Sequence, residues 1–218
     1  MNSTPKYGFP TDNTPVFSEA ICILNGQPLH LDEHRNRVAM SLHYCGSHFA
    51  ADAVLQQALQ HIPVSAAGRW KLRFEYSASG LLHCTAEQYQ VRTIQQLIAC
   101  ELPQDVPREL IYPLKFNLRP IIDSCRQHLE ATEEALMLYN GCVTDAGFAS
   151  VALQRDGHWF TPDTPLLPGS TRTRLLREGT LRSARIDRAT IGEYRWISLF
   201  NAMLPLGELK LPVTAIRL

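Results

Sequence analysis

The chain has 218 residues, about one and a half typical domains. Hydrophobic residues make up 45% and charged residues 19%, a globular mix that excludes a disordered tail, a collagen-like fibre and a charged linker. Lys+Arg and Asp+Glu are both 21. The formal charge is therefore zero, which argues against a broad electrostatic grip on nucleic acid or on an anionic membrane.

Residues 1–15 read as an irregular lead-in rich in Pro, Thr, Asn and Gly. Phe17 to Leu24 reads as a strand, Asn25-Gly26 as a hairpin turn and Gln27 to Leu31 as the returning strand. From Leu31 the period becomes helical. Asp32 is a candidate cap, Val38, Leu42 and Cys45 recur on one face, and Gly46 ends the run. A second helix is expected from Ala51 to His61. Trp70 to Tyr76 alternates apolar and polar, as a half-buried strand does. Leu81 to Tyr89 and Gln90 to Cys100 look like further strands. Glu101 to Arg108 carries two prolines and charge, and is read as a domain boundary. Beyond it the pattern predicts a helix over 119–130, a strand over 135–139 and a turn at Asn140-Gly141. Val143 to Gln154 then pairs with His158 to Thr161, and a short helix runs from Ser170 to Arg177. Strands at 193–200 and 209–218 close the chain. The sum is an α/β (α+β) protein of two lobes, 1–105 and 106–218.

Six cysteines, Cys22, Cys45, Cys84, Cys100, Cys125 and Cys142, are scattered singly with no CxxC pair. Met1 to Gly8 has no apolar run behind it, and no stretch reaches the roughly 20 apolar residues that cross a bilayer. These features predict a cytoplasmic protein whose cysteines are reduced core residues. His30 and His34 lie four apart, but a third ligand is lacking, so no metal is expected.

Only four of the basic residues are lysines: Lys6, Lys71, Lys115 and Lys210. Lys115 follows the apolar run Ile111-Tyr-Pro-Leu, where desolvation would lower its pKa and free the amine as a nucleophile. Equally, its stem could lie on an apolar surface with the head in water. Leu166-Leu-Pro-Gly-Ser-Thr-Arg172 opens a helix with hydroxyl residues. The first amides of such a helix suit a phosphate, or the hydroxyls serve only as a cap. Asp145, in an apolar strand, needs a partner: an ordinary ion pair or a protonated ring nitrogen. An amine, a phosphate cradle and a carboxylate facing a heterocycle are together what pyridoxal phosphate requires.

The pattern resembles the class IV aminotransferase family, the fold-type IV pyridoxal phosphate enzymes, over roughly residues 16–213. Phe17-Ser-Glu-Ala-Ile21 is similar to the family's Phe-Glu-Thr-Ile strand, and His34-Arg-Asn-Arg37 to its His-x-x-Arg helix. Lys115-Phe-Asn-Leu-Arg119, Asn140-Gly-Cys-Val-Thr-Asp145 and Thr161 to Arg172 resemble the lysine, pyridine-nitrogen and phosphate motifs. Asn201-Ala-Met-Leu-Pro205 resembles a late loop of the phosphate site, in a form nearest the lyase branch.

The resemblance implies a small N-terminal α/β lobe, a larger barrel-like C-terminal lobe and the cofactor in the cleft between them. A homodimer acting on a small-molecule amine is the implied assembly. It implies Lys115 as the Schiff-base residue and general base, and Asp145 at the ring nitrogen. Arg37, Ser170, Thr171, Asn201, Ala202 and Met203 are implied around the phosphate. Asp145 stands where the family has Glu, and Ser150 where it has Asn. The brief turn Ser77-Ala-Ser-Gly80 is not followed by the Arg-x-His pair of D-amino-acid aminotransferases. The missing pair and the form of Asn201-Ala-Met-Leu-Pro205 favour 4-amino-4-deoxychorismate lyase, which forms p-aminobenzoate and pyruvate for folate synthesis. A branched-chain-like aminotransferase is the alternative, and a degenerate relative that binds pyridoxal phosphate, or nothing, and serves as an interaction or carrier module is another.

Overall fold

The computed structural model describes residues 14–218. The expected lead-in, the N-terminal run Met1 to Gly8 and Lys6 lie outside the described residues, apart from positions 14 and 15 of the lead-in. The chain divides into two compact units. The first runs up to Gln88 and takes back Leu114–Leu118; the second holds Tyr89–Pro113 and Arg119–Leu218.

In the first unit, β1 (Phe17–Leu24), β2 (Gln27–Pro28), β3 (Arg69–Ser77) and β4 (Gly80–Gln88) form an antiparallel sheet in the order β2-β1-β3-β4. The Asn25-Gly26 turn has positive φ at both residues, as a two-residue hairpin requires. Helix α1 (Leu31–Tyr44) and helix α2 (Ala51–Leu59) follow β2. Asp32 is not the cap. The left-handed His30 occupies that position without a side-chain cap, and Asp32 sits in the first turn bonded to Arg35. Its charge there still favours the helix N-terminus.

The second unit begins with β5 (Gln96–Glu101) and the short helices α3 (Arg108–Ile111) and α4 (Pro120–Ser124). It continues with β6 (Glu133–Tyr139), β7 (Cys142–Ala146), β8 (Ser150–Arg155), β9 (His158–Pro162), α5 (Ser170–Arg177) and β10 (Leu181–Ala184). β11 (Trp196–Phe200), β12 (Leu209–Pro212) and β13 (Ile216–Arg217) complete it. Among the described residues these strands form two sheets, ordered β10-β9-β8-β11-β12 and β13-β5-β6-β7. One apolar core takes residues from both, including Leu97, Leu136, Val143, Val151, Leu153 and Leu199.

Four expectations change. The boundary at 105/106 falls inside the second unit, because β5 pairs in parallel with β6 and carries residues 89–113 with it. The helix expected over 119–130 stops at Ser124, and His128 is left-handed. The run 143–154 is two strands, because Ala146 and Ala149 exchange both backbone hydrogen bonds around Gly147-Phe148. A Cβ on Gly147 would lie 2.5 Å from both Arg126 Cδ and Glu134 Oε1, so glycine allows this close turn. Finally, Cys100 and Cys125 form a disulfide, whereas all six cysteines were expected to be reduced. Single cysteines 25 residues apart carry no pairing signal; β5 and the end of α4 bring them together. Cys22 and Cys142 are buried thiols, and Cys45 and Cys84 are half-buried.

Candidate active site

In the first unit, β1 positions both expected residues. Lys115 is half-buried between buried Leu114 and Phe116. It lies outside any strand, and its segment is docked on β1 by the backbone. Ser18 N–H donates to the Lys115 carbonyl at 2.9 Å, and Asn117 N–H to the Val16 carbonyl at 2.8 Å. Phe116 stacks against Phe17 with ring centres 5.1 Å apart.

One residue along β1, Glu19 faces inward with Phe17, Ile21 and Ile23 and is fully buried. Its carboxylate accepts from Arg37 Nε at 2.5 Å on one oxygen and from Arg37 Nη2 at 2.5 Å on the other. His34 Nδ1 adds a third bond at 2.7 Å. Burial alone would raise the Glu19 pKa. The Arg37 charge and the bonds from Arg37 and His34 outweigh it and hold the carboxyl well below the usual range. The Tyr76 phenol in the same core is buried, and that burial pushes its pKa up. Glu19 was not among the expected site residues. Its signal was a charged side chain on the apolar face of an alternating strand. His34, considered as half of a metal pair, instead serves this carboxylate.

In the second unit, Asp145 is the last residue but one of the buried strand β7 and carries no ion pair among the described residues. Its Oδ2 accepts the backbone N–H of Leu166 at 2.8 Å and of Leu167 at 3.3 Å. The segment that opens α5 is thereby fastened to the carboxylate. Burial raises the Asp145 pKa to about 6, although the two amides, the nearby Arg172 charge and the Ser150 hydroxyl act against the rise. The N–H groups of Arg172 go elsewhere: Nε to Thr161 Oγ1 at 3.3 Å and Nη2 to the Pro162 carbonyl at 2.8 Å.

Gly169 precedes α5. A Cβ there would stand 3.1 Å from Ser150 Oγ, so the turn packs closely on β8. Ser170 and Thr171 open the helix, where the first amides have no carbonyl behind them to bond. Asn201 builds its own turn. Its Oδ1 accepts from Met203 N–H at 2.8 Å and Leu204 N–H at 3.1 Å, and its Nδ2 donates to the Phe148 carbonyl at 3.1 Å. The Met203 amide is thus committed within the loop. The Asn201 turn is thus bonded to Phe148, three residues beyond Asp145, and Asp145 to the α5 entry.

Arg37 and Lys115 therefore sit in the first unit, and Asp145, Ser170, Thr171, Asn201, Ala202 and Met203 in the second. The fold is that of the fold-type IV enzymes. A Haemophilus somnus protein provisionally assigned as a 4-amino-4-deoxychorismate lyase superposes with a TM-score of 0.72 at 24% identity, covering 88% of this chain and 98% of that one. A hypothetical aminotransferase from Mycobacterium tuberculosis, solved with α-ketoglutarate and pyridoxamine phosphate (PMP), superposes at 0.73 with 17% identity, covering 97% and 88%. A Haemophilus influenzae protein of uncharacterised function is 28% identical over 192 residues, which are 87% of this chain and 97% of that protein. The class IV amino-transferase profile matches residues 17–213, and the chain belongs to that family.

Proposed function

We propose that this chain is a pyridoxal phosphate-dependent enzyme acting on a small amine, and that its reaction is the 4-amino-4-deoxychorismate lyase reaction. The observation that carries the cofactor reading is Asp145: a buried carboxylate, not neutralised by any ion pair among the described residues, tied to the entry of a helix whose first amides can take an anion. A protonated pyridine nitrogen is the partner such a carboxylate lacks. The donor set fits the group. Gly169 leaves no side chain over the α5 entry, and Lys115 supplies an amine.

When bound, pyridoxal phosphate supplies an aldehyde to carry the substrate amine and a ring that draws electrons from its α-carbon. The chain's residues do the rest. Lys115 Nζ holds the cofactor and then takes the α-proton as general base. Asp145 would be the carboxylate that pairs with the ring nitrogen and keeps it protonated. Ser170 and Thr171 bind phosphate through their amides, joined by Arg37 and by Ala202 in the turn that Asn201 builds. The Met203 amide supports that turn instead of the ligand.

Two features favour the lyase over an aminotransferase. The β3–β4 connection is only Ala78-Ser79, closed by a Ser77–Ser79 hydroxyl contact at 2.7 Å, so the loop is too short to bring a carboxylate-binding pair. The Asn201–Pro205 sequence resembles the lyase form. The test is the absorption spectrum with added pyridoxal phosphate, before and after borohydride, beside Lys115→Ala. A visible band fixed by reduction, absent from the variant, is expected. Aminodeoxychorismate should then yield fluorescent p-aminobenzoate, while plain amino acids should leave the band unchanged. Conversion by amino acids to the pyridoxamine form would assign an aminotransferase. A flat spectrum in both proteins would refute catalysis through this cofactor.

A further inference from the structure

We propose that Glu19 is a positioning residue, which with His34 fixes the direction of the Arg37 guanidinium so that it meets the cofactor phosphate through directed hydrogen bonds. This rests on the proposed function. The buried face of α1 is His34, Arg37, Val38, Ser41 and Leu42, three polar residues among five. A helix packed only for stability would bury apolar side chains there, because a buried ion pair is often matched or exceeded by well-packed hydrophobes of similar volume. The arrangement makes sense if the orientation of the guanidinium matters.

An arginine side chain has several free torsions, but its head is planar. Glu19 grips that head side-on, by Nε and Nη2, at 2.5 Å each. Two parallel bonds set both the plane and the heading of the group. His34, one helical turn before Arg37, bonds the Oε2 that also takes Nη2 and keeps the carboxylate from rotating. Glu19 itself cannot drift, being in register opposite Phe74 on β3 and fully buried. The rest of the anchor comes from the same strand: Ser18, the preceding residue, holds the Lys115 backbone. One rigid strand thus carries the supports of both the amine and the guanidinium.

The proposal makes a prediction of unusual sign. Glu19 cancels the charge of Arg37. If phosphate were held there by net charge alone, Glu19→Gln would remove a repelling carboxylate and tighten binding. If Arg37 acts by direction, Glu19→Gln loosens the fork and weakens binding, since glutamine cannot accept two N–H bonds side-on.

The experiment measures the dissociation constants of pyridoxal phosphate and of phosphate-free pyridoxal for wild type, Glu19→Gln, Arg37→Ala and the double variant. Thermal melting and borohydride labelling of Lys115 accompany it. We expect Glu19→Gln to weaken pyridoxal phosphate roughly ten- to hundredfold. Pyridoxal should be unaffected, and the double variant should be no weaker than Arg37→Ala. His34→Ala, which leaves the Arg37 fork intact, should show the same selectivity at roughly a few-fold and serves if Glu19→Gln does not fold. Tighter or unchanged pyridoxal phosphate binding in Glu19→Gln overturns the proposal. So does equal weakening of both ligands together with a lowered melting temperature, which would mark a merely structural pair. Failure of the functional reading looks different: wild type itself takes no label at Lys115, and the positioning role then falls with it.

Discussion

Asp145→Asn should change how stability depends on pH, and the size of the change follows from the burial of the carboxyl. The side chain rises from an ordinary 3.8 to about 6 in the folded chain. Between those values the folded state keeps a proton that the unfolded chain has released. The Asp145 contribution to stability is therefore greatest below about pH 4, falls as pH rises towards about 6, and is flat above. A rise of about two pH units corresponds to about 3 kcal/mol. Asparagine cannot titrate, and its carbonyl can still accept from the Leu166 and Leu167 amides. The assay is urea unfolding of the cofactor-free protein at pH 4.5 and 7.5. Between these, wild type should lose about 2 kcal/mol more than the variant, which should be the more stable protein at pH 7.5. Saturating pyridoxal phosphate at pH 7.5 should reverse that order, because a cationic ring N–H gives the ionised carboxylate its partner. Equal pH dependence in the two cofactor-free proteins would refute the argument that Asp145 is buried without a compensating cation.

Three further perturbations probe the supports. Glu19→Ala strands the buried Arg37 guanidinium and should cost about 3–5 kcal/mol near neutral pH. Because the Glu19 carboxyl is held below its ordinary 4.5, its contribution is present above that value and fades on acidification. The gap between wild type and variant should therefore narrow below about pH 4.5, and a constant gap would refute the ion-pair account. Gly147→Ala drives a methyl group against Arg126 and Glu134, and should cost about 1–3 kcal/mol in thermal melting; an unchanged melting temperature would contradict the tight turn. Cys100→Ser opens a loop of 25 residues and should lower stability by about 3 kcal/mol, with reductant lowering wild type but not the variant. A wild type whose stability does not change on adding reductant would show that the bond does not form.

How far these features were legible beforehand depended on whether their cause was local. The Asn25-Gly26 hairpin, helix α1 and the alternation of β3 follow from turn chemistry and periodicity, and the expected elements lie within a few residues of the observed ones. The Gly147 turn did not declare itself, because apolar residues continue on both sides of it and the strand pattern runs through. Nor did the 119–130 segment: its helical periodicity is real, but a disulfide partner 25 residues upstream holds its middle. The same division runs through the site. Lys115, Asp145 and the α5 entry stood out as motifs, whereas the bonds of Asp145 to the Leu166 and Leu167 amides join residues 21 and 22 positions apart. Glu19 lies between these cases. Its alternation phase places it inside, and nothing local pairs it; the guanidinium that makes the position tolerable lies 18 residues on, across the hairpin and into α1. A charge at a core position of a strand is therefore evidence of a distant partner before that partner is known. The cost of leaving such a charge alone makes that inference reliable.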